Sequence, residues 1–366
     1  MRGIAGAGST DPRRSDSPTP MSDHIRLTKA DLTGFAAAIF TAAGVAPAMA
    51  ATWAQGVVWA NLRGVDSHGV IRIPRYVDLL KKKSINPRPA MKVERRAGAI
   101  AVLDADRAPG VIGMTRAMDE AIGCAKAVHI GWCAARNVTH AGAIGYFALQ
   151  AARQGMAGIV MTASGPLMAY HGARVAGVST NPIAIAVPGK RRRPFLLDMS
   201  TSTVANGKVL AAKDKGDPVP PGWGLDAEGR DTTDPKKIAT LLPLGGPKGS
   251  GLSLMIECLA SLAVGSPLIS LALSGGLADN PFLNAIAIAV DLQAIGDLDA
   301  FTGEVDRLGD AITGLPRAEG VERILLPGER GDAILAEREA SGIPVPAGTW
   351  KRLVAAAEGL GVKAPE

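Results

Sequence analysis

The sequence predicts a large α/β protein with a helical N-terminal part. Segments with the hydrophobic periods of strands and of helices follow one another without a regular β-α-β alternation and without an internal repeat. The chain has 366 residues, of which 47% are hydrophobic and 20% charged, so it can bury a large core. Its 44 glycines and 25 prolines predict many tight turns between short elements.

The N-terminal part is predicted to be helical after an irregular start. We expect residues 1–24 to form a disordered extension, because they are polar and show no hydrophobic period. Two alanine-rich helices are predicted over 28–44 and 47–62; a capping box opens the first and a proline opens the second. A third helix is predicted to begin at Pro74.

The central part is predicted to alternate irregularly between strands and helices. A polar insert rich in proline and glycine is expected over 214–247, and helices with one strand are expected to finish the chain. Strands are predicted over 99–106, 130–137, 158–164, 183–188, 194–200 and 285–291, and helices over 113–128, 144–154 and 250–264.

Composition argues against several classes of protein. The net charge is +6, but the basic runs are short and scattered and only 4% of residues are aromatic, so we expect no nucleic-acid partner. The apolar stretch 252–264 carries Glu257, and we expect no membrane association. Three cysteines without a CxxC pair indicate neither a disulfide framework nor a zinc site, and we therefore predict a cytoplasmic protein without a metal.

The stretch "RGVDSHGVIRIPRY" at residues 63–76 is the first candidate functional motif. It places His68 directly after an aspartate and Ser67, with Arg72 and Arg75 four and seven residues later. One interpretation is a capped helix with a charged face. The alternative is a proton donor beside anion-binding groups, because imidazole titrates near neutral pH and guanidinium groups bind carboxylates.

The usual dinucleotide fingerprint is missing, since the two Gly-x-Gly-like fragments lack a strand–turn–helix context. Four other segments offer backbone N–H groups, hydroxyls and a lysine, which are the groups that hold a pyrophosphate. Each segment alone is most simply a helix cap or a turn, and their occurrence together favours an anionic cofactor. They lie at 140–152, 179–189, 196–208 and 243–260.

These segments resemble one family. "GVDSHGVIRIPRY", "STNPIAIAVPG", "LDMSTSTVANGK", "TTDP", "LLPLGGPKGSGLSLMIECLA" and "LLPGE" are similar, in this order, to the malate/L-lactate dehydrogenase family. The resemblance implies a family-specific, non-Rossmann mixed-sheet fold that binds NAD or NADP. It also implies a homodimer with the cofactor near the subunit interface. The predicted domains are a helical part over 25–98 packed with 299–366, and a central cofactor-binding α/β domain over 99–298.

The activity that the resemblance implies is reversible hydride transfer between the nicotinamide and a 2-hydroxy or 2-oxo acid. A small-molecule carboxylate of the malate or lactate type is the expected substrate. Ureidoglycolate and the cyclic imine Δ1-piperideine-2-carboxylate are the alternatives within the family. A non-catalytic, cofactor-binding dimeric scaffold is the alternative from a different class.

The resemblance also implies catalytic residues. His68 matches the proton donor, and Ser67 and Asp198 match its charge-relay partners. Arg72, one helical turn after His68, is expected to hold the substrate carboxylate. His140 matches a position that serves as catalytic base in the ureidoglycolate branch, so two histidines compete for the role. We favour His68, because a poised acid needs an orienting partner and its neighbours supply a serine and an arginine.

Cofactor contacts are likewise implied by position. The basic run 190–193 either meets the extra phosphate of NADP or forms a solvated turn between two strands. The stretch 265–284 departs from the family pattern, and loops of this kind commonly shape substrate pockets. The expected cofactor-binding residues are Ser164, Asp198, Met199, Ser200, Lys248, Gly328 and Glu329.

Overall fold

The computed structural model describes residues 24–276 and 282–365. The predicted disorder of residues 1–24 lies outside the described residues, except at His24, which begins the first strand. The helices are α1 Lys29–Ala42, α2 Pro47–Leu62, α3 Ile73–Lys81, α4 Gly110–Val128, α5 Gly145–Ala152, α6 Asn206–Lys215, α7 Pro247–Ala260, α8 Ile269–Leu273, α9 Leu298–Thr313, α10 Glu329–Ser341 and α11 Ala347–Glu358. The strands are β1 His24–Leu27, β2 Lys92–Ala97, β3 Ile100–Asp104, β4 Ile130–Val138, β5 Met156–Ala163, β6 Met168–Ala169, β7 Ala176–Val178, β8 Ile183–Val187, β9 Phe195–Met199, β10 Gly224–Leu225, β11 Thr240–Leu241, β12 Leu283–Asp291 and β13 Ile343–Pro346.

A seven-stranded mixed sheet forms the centre of the molecule. Its strand order is β2-β3-β4-β12-β5-β8-β9, with β3 and β4 parallel and the other pairs antiparallel. Small alanines of β12 face α4 and α5, whereas Ile286 and Ile288 face α7, because neighbouring residues of a strand point to opposite sides. The predicted α/β class with mixed sheets is therefore confirmed.

The N-terminal helices pack around an aromatic stack and share one continuous core with α4, α5 and the alanine face of β12. Phe40 and Trp53 lie face to face with ring centroids 3.9 Å apart, and Tyr76 of α3 lies 5.1 Å from Trp53. Offset and tilted aromatic pairs add to the burial energy of such a core. The stack fixes α3 against α1 and α2, and it places one buried phenol at the end of this core.

The N-terminal helices and the end of the chain are joined by strand pairing. β1 runs antiparallel to β13, with His24 opposite Pro346 and Leu27 opposite Ile343. Helix α9 instead lies against the central sheet, because its buried Asp306 accepts hydrogen bonds from the backbone N–H groups of residues 190–192. The predicted interlocking of 25–98 with 299–366 thus describes α10, β13 and α11 better than α9.

Most predicted elements occur within a few residues of their predicted bounds, and the missed ones are short or polar. The strand β2 was not predicted, because its sequence "KVERRA" is polar and pairs only with β3 at the sheet edge. A small four-stranded sheet with the order β10-β11-β6-β7 was also missed, because each strand has only two or three residues. Within the described residues no helix is long and apolar enough to cross a membrane.

Candidate active site

Residues 66–68 of the histidine motif form a short 3-10 turn after α2. Asp66 is fixed by Arg338 of α10, whose two terminal nitrogens lie 2.7 and 3.1 Å from its carboxylate oxygens. Asn61 donates to Asp66 at 2.7 Å and accepts from the backbone of Val70 at 2.8 Å. The aspartate of the motif is therefore structural: it holds the turn that presents the histidine.

Gly69 is required by this packing, since a Cβ at this position would overlap the side chain of Asn61. A side chain would displace the amide that accepts from Val70, and the turn would lose its connection to α2. In the "DSHG" sequence, Asp66 and Gly69 thus shape the turn that holds His68.

His68 is half-buried and lies between a hydroxyl and a guanidinium. Its Nδ1 is 2.9 Å from the Oγ of Ser67, and Arg72 donates through Nε to the backbone oxygen of Ser67 at 2.6 Å. Desolvation by burial, followed by the positive charge of Arg72, lowers the pKa of His68 to about 4. In the free protein the imidazole is therefore neutral near pH 7. Ser67 contacts Nδ1, so Nε2 is the ring nitrogen that a ligand could contact.

A second histidine lies beside the first. The ring centroids of His68 and His140 are 5.5 Å apart and the rings are nearly parallel, at 17°. Tyr76 of α3, which the sequence analysis did not identify, places its hydroxyl 2.7 Å from Nδ1 of His140. Burial lowers the pKa of His140 well below its usual value and raises the pKa of Tyr76. The site is thus a pair of neutral imidazoles with a protonated phenol behind one of them.

The signal for Tyr76 was present in the motif but was not used. Tyr76 follows Arg72 by four residues, which is the spacing of neighbours on one face of a helix. Its partner His140 lies 64 positions later, between β4 and α5. Only the packing of α3 against that loop reveals the contact.

Asp198, at the end of β9, was expected to orient His68. In the described part of the chain no hydrogen bond joins it to either histidine; it accepts instead from the backbone N–H of Gly145 at 2.8 Å. Desolvation raises the pKa of Asp198 to about 6, against the lowering effects of that N–H group and of Arg63. The first N–H of α5 attracts a carboxylate more strongly than a neutral imidazole does, which accounts for the difference. Asp198 therefore anchors the loop that carries His140.

The expected cofactor residues converge on the other side of β9. The backbone of Thr201 accepts from Leu244 at 2.9 Å, so the segment with Ser200 lies against the glycine-rich loop with Lys248. Ser164 joins the same region through Asn181, whose Oδ1 accepts from its backbone N–H at 3.1 Å. The structure thus brings together three segments that are far apart in the sequence.

This region suits an anionic cofactor in two respects. The hydroxyl of Thr201 is fully buried and has no hydrogen-bond partner among the described residues, although buried polar groups are normally paired. Lys248 is exposed in the first turn of α7, after Gly245 and Gly246, which adopt the left-handed backbone conformation. A lysine and a helix N-terminus are groups that hold phosphate oxygens.

The remaining expected cofactor residues are placed less clearly. Met199 ends β9 and is half-buried beside Ser200. Gly328 lies against Leu196 of the same strand, and its backbone oxygen accepts from Arg63 at 2.9 Å. The carboxylate of Glu329 is 2.9 Å from Arg192 and also accepts from the backbone of Leu326, so it is already engaged.

The basic run 190–193 forms the turn between β8 and β9 and is paired with acids. Lys190 lies 2.7 Å from Asp299, and Arg192 lies 2.6 Å from Asp310. Arg193 lines a cleft of about 310 Å³ with Arg323 and Glu329. Of the two interpretations, the surface turn describes this segment better than a phosphate site does.

Comparison with known proteins identifies the family and the fold. The family model described as "Malate/L-lactate dehydrogenase" matches residues 27–354. The malate dehydrogenase of Pyrococcus abyssi is 35% identical over 94% of this chain and 97% of its own length. The L-sulfolactate dehydrogenase of Methanocaldococcus jannaschii is 40% identical over 74% of this chain and 78% of its own length. The solved structure of malate dehydrogenase from Pyrococcus horikoshii superposes with a TM-score of 0.85 at 33% identity, covering 95% of this chain and 99% of that one.

Proposed function

Because this chain belongs to the malate/L-lactate dehydrogenase family, a family of NAD(P)-dependent oxidoreductases, we propose that it oxidises a 2-hydroxy acid with a second acidic group. A substrate of the malate type fits this description, and malate is also what the name of a 35%-identical relative states. The observation that carries the proposal is the pair of stacked imidazoles, His68 and His140, near two arginines: Arg72 directly precedes α3 and Arg75 lies in its first turn.

Arg72 and Arg75 are three residues apart at the start of α3, on one side of the helix. Among the described residues, no acidic side chain forms an ion pair with either of them, and the one side-chain hydrogen bond of Arg72 goes to a backbone oxygen. Guanidinium groups without an acidic partner beside a catalytic site favour anionic ligands. We propose that Arg72 binds the carboxylate next to the reacting carbon and that Arg75 faces the second acidic group.

His68 is proposed to take the proton of the 2-hydroxyl group in oxidation and to return it in reduction. A neutral imidazole can accept a proton at Nε2 while Ser67 holds Nδ1. The nearby guanidinium of Arg72 disfavours the imidazolium, and the substrate carboxylate would offset that effect when it binds. The nicotinamide supplies or accepts the hydride when it is bound. Ser67 and His68 are both present and in contact, which argues against the non-catalytic scaffold.

The region of Ser164, Ser200 and Lys248 is proposed to hold the pyrophosphate of the cofactor. The proposal is supported by the unpartnered hydroxyl of Thr201 and by the exposed lysine at the N-terminus of α7. For the choice between NAD and NADP we favour NAD, because the cations of the 190–193 turn are already paired with acids. In addition, the backbone N–H groups of residues 190–192 are occupied by Asp306.

The test is a panel of oxaloacetate, pyruvate and a cyclic imino acid, assayed with NADH and with NADPH by the loss of nicotinamide absorbance. We expect the highest kcat/KM with oxaloacetate and NADH. His68→Ala should lose turnover but still bind NADH, as measured by nicotinamide fluorescence. Comparable kcat/KM values for all three substrates would contradict the proposed substrate class, and near-normal turnover of His68→Ala would contradict the proposed role.

We also propose that the protein is a cytoplasmic homodimer. The exposed face of α7 and the following turn carries Leu252, Met255, Leu259 and Leu262, which are 39–55% exposed. A row of large apolar side chains of this kind is typical of a subunit interface. All three cysteines are free thiols, as in proteins of reducing compartments. Sedimentation equilibrium of the wild type and of Leu259→Lys would test the dimer, which the lysine should weaken.

A further inference from the structure

The two histidines of the site have different partners, and this difference assigns them different tasks. Nδ1 of His68 meets the Oγ of Ser67, a half-buried hydroxyl that can rotate and can either donate or accept. Nδ1 of His140 meets the Oη of Tyr76, a phenol whose side chain is 2% exposed and packed against Trp53. In the contact between Tyr76 and His140, one choice of hydrogen-bond donor is favoured over the other.

The direction follows from counting hydrogen-bond donors. Among the described residues, Nδ1 of His140 is the sole hydrogen-bond partner of the Tyr76 hydroxyl. If the imidazole donated to the phenol, the buried O–H would have no acceptor, which is unfavourable for a buried donor. If the phenol donates, both groups are satisfied, because a phenol oxygen tolerates an unused lone pair better than its proton tolerates an absent acceptor. The phenol therefore donates to Nδ1.

A neutral imidazole that accepts at Nδ1 carries its proton on Nε2. In the part of the chain that the structure describes, no group binds Nε2 of His140, and the residue is half-buried next to His68. Its N–H is thus available to a substrate oxygen.

We propose that Tyr76 is a positioning residue which holds His140 as the Nε2–H tautomer, so that His140 donates a hydrogen bond to the substrate oxygen while His68 alone transfers the proton. The assignment of the tautomer stands on the Tyr76 contact, and the division of roles rests on the proposed function. In oxidation the O–H bond of the 2-hydroxyl breaks and its proton goes to Nε2 of His68. The C–H bond breaks with its electron pair as hydride to the nicotinamide, and the C=O bond forms while the oxygen keeps the hydrogen bond from His140.

The tautomer is tested directly by the 15N resonances of the two ring nitrogens of His140 in the free protein near neutral pH. The proposal expects a protonated Nε2 and an unprotonated Nδ1 in the wild type. In Tyr76→Phe, which keeps the ring in the aromatic stack, it expects a shift of the resonances towards the other tautomer. A wild-type spectrum with the proton on Nδ1 would overturn the proposal. This wild-type measurement decides the tautomer even if Tyr76→Phe does not fold.

The division of roles is tested by the matched pair His140→Gln and His68→Gln. A glutamine amide can still donate to an oxygen from the position of Nε2, but it cannot take up a proton. We expect His140→Gln to lose about 10-fold in kcat and to keep the pH dependence of the wild type. His68→Gln should lose about 10²–10⁴-fold, the usual contribution of general acid–base catalysis, and should lose that pH dependence. An equal loss in both variants would overturn the division of roles.

Failure of the proposed function would look different. A wild-type protein that turns over none of the 2-oxo acids, with an unchanged 15N spectrum of His140, would contradict the function and leave the tautomer assignment standing. Normal turnover with the reversed tautomer would contradict the inference alone.

Discussion

The ion pair between Arg338 and Asp66 offers the sharpest test of how the fold positions His68, the proposed proton-transfer group. Arg338 of α10 is 13% exposed and Asp66 is 46% exposed, so the pair is buried on one side only. Replacing Arg338 with methionine keeps most of the side-chain volume and removes the two contacts to the carboxylate. The turn that carries His68 would then be held chiefly by Asn61.

The size of the stability loss in Arg338→Met depends on the partners that Asp66 and Asn61 keep. Asp66 can regain water where it is exposed, so the loss is smaller than the 3–5 kcal/mol typical of breaking a fully buried pair. Asn61 loses the guanidinium donor to its backbone oxygen. Together these changes should lower the free energy of unfolding by about 2 kcal/mol. For a chain of this size the melting temperature should fall by a few degrees.

Activity should fall as well, because the turn of residues 66–68 loses its anchor. We expect Arg338→Met to lower kcat about 10-fold, since small displacements of a catalytic group are costly. The matched control is Arg307→Met, which removes an exposed ion pair with Glu304 on α9, with side chains 67% and 65% exposed. Such a pair contributes about 0–1 kcal/mol. Equal effects of the two variants on melting temperature and on kcat would refute the role of the Asp66–Arg338 pair in positioning His68.

Three further predictions concern the same site. Because the pKa of His68 is lowered to about 4, kcat/KM for oxidation should not change as the pH passes the usual imidazole pKa of about 6.5, and should fall only as the pH approaches 4. For reduction, kcat/KM should decline as the pH rises above 4. A pH–rate profile with its midpoint at pH 6.5 or higher would contradict this prediction. Gly69→Ala should lower the free energy of unfolding by about 2 kcal/mol in chemical denaturation, because its Cβ would displace Asn61 from Val70. Arg75→Gln should lower kcat/KM for oxaloacetate by about 10–100-fold, because it removes one charge-assisted contact to the substrate. The kcat/KM for pyruvate should stay within about 2-fold of the wild-type value. Equal losses for both substrates would argue against a second acidic group at Arg75.

Much of the fold could be predicted from the sequence because hydrophobic periods are local. The helices α1, α2 and α4 and the strands β4, β5 and β12 have long runs with one period, and their predicted bounds lie within a few residues of the observed ones. The small sheet and β2 could not be predicted in this way. Their strands are too short or too polar to leave a periodic signal, and their pairing partners are distant in the chain.

The sequence by itself determined the chemistry that is available: an imidazole next to a serine, arginines one and two helical turns later, and a lysine in a glycine-rich loop. These are local patterns, and the family resemblance depends on them. The tertiary structure decided which groups meet. It brought Tyr76 to a histidine 64 residues away, Arg338 to an aspartate 272 residues away, and Asp198 to a backbone N–H in place of the expected imidazole. Such partners are selected by packing geometry and by the need to satisfy buried polar groups, and neither leaves a pattern in the local sequence.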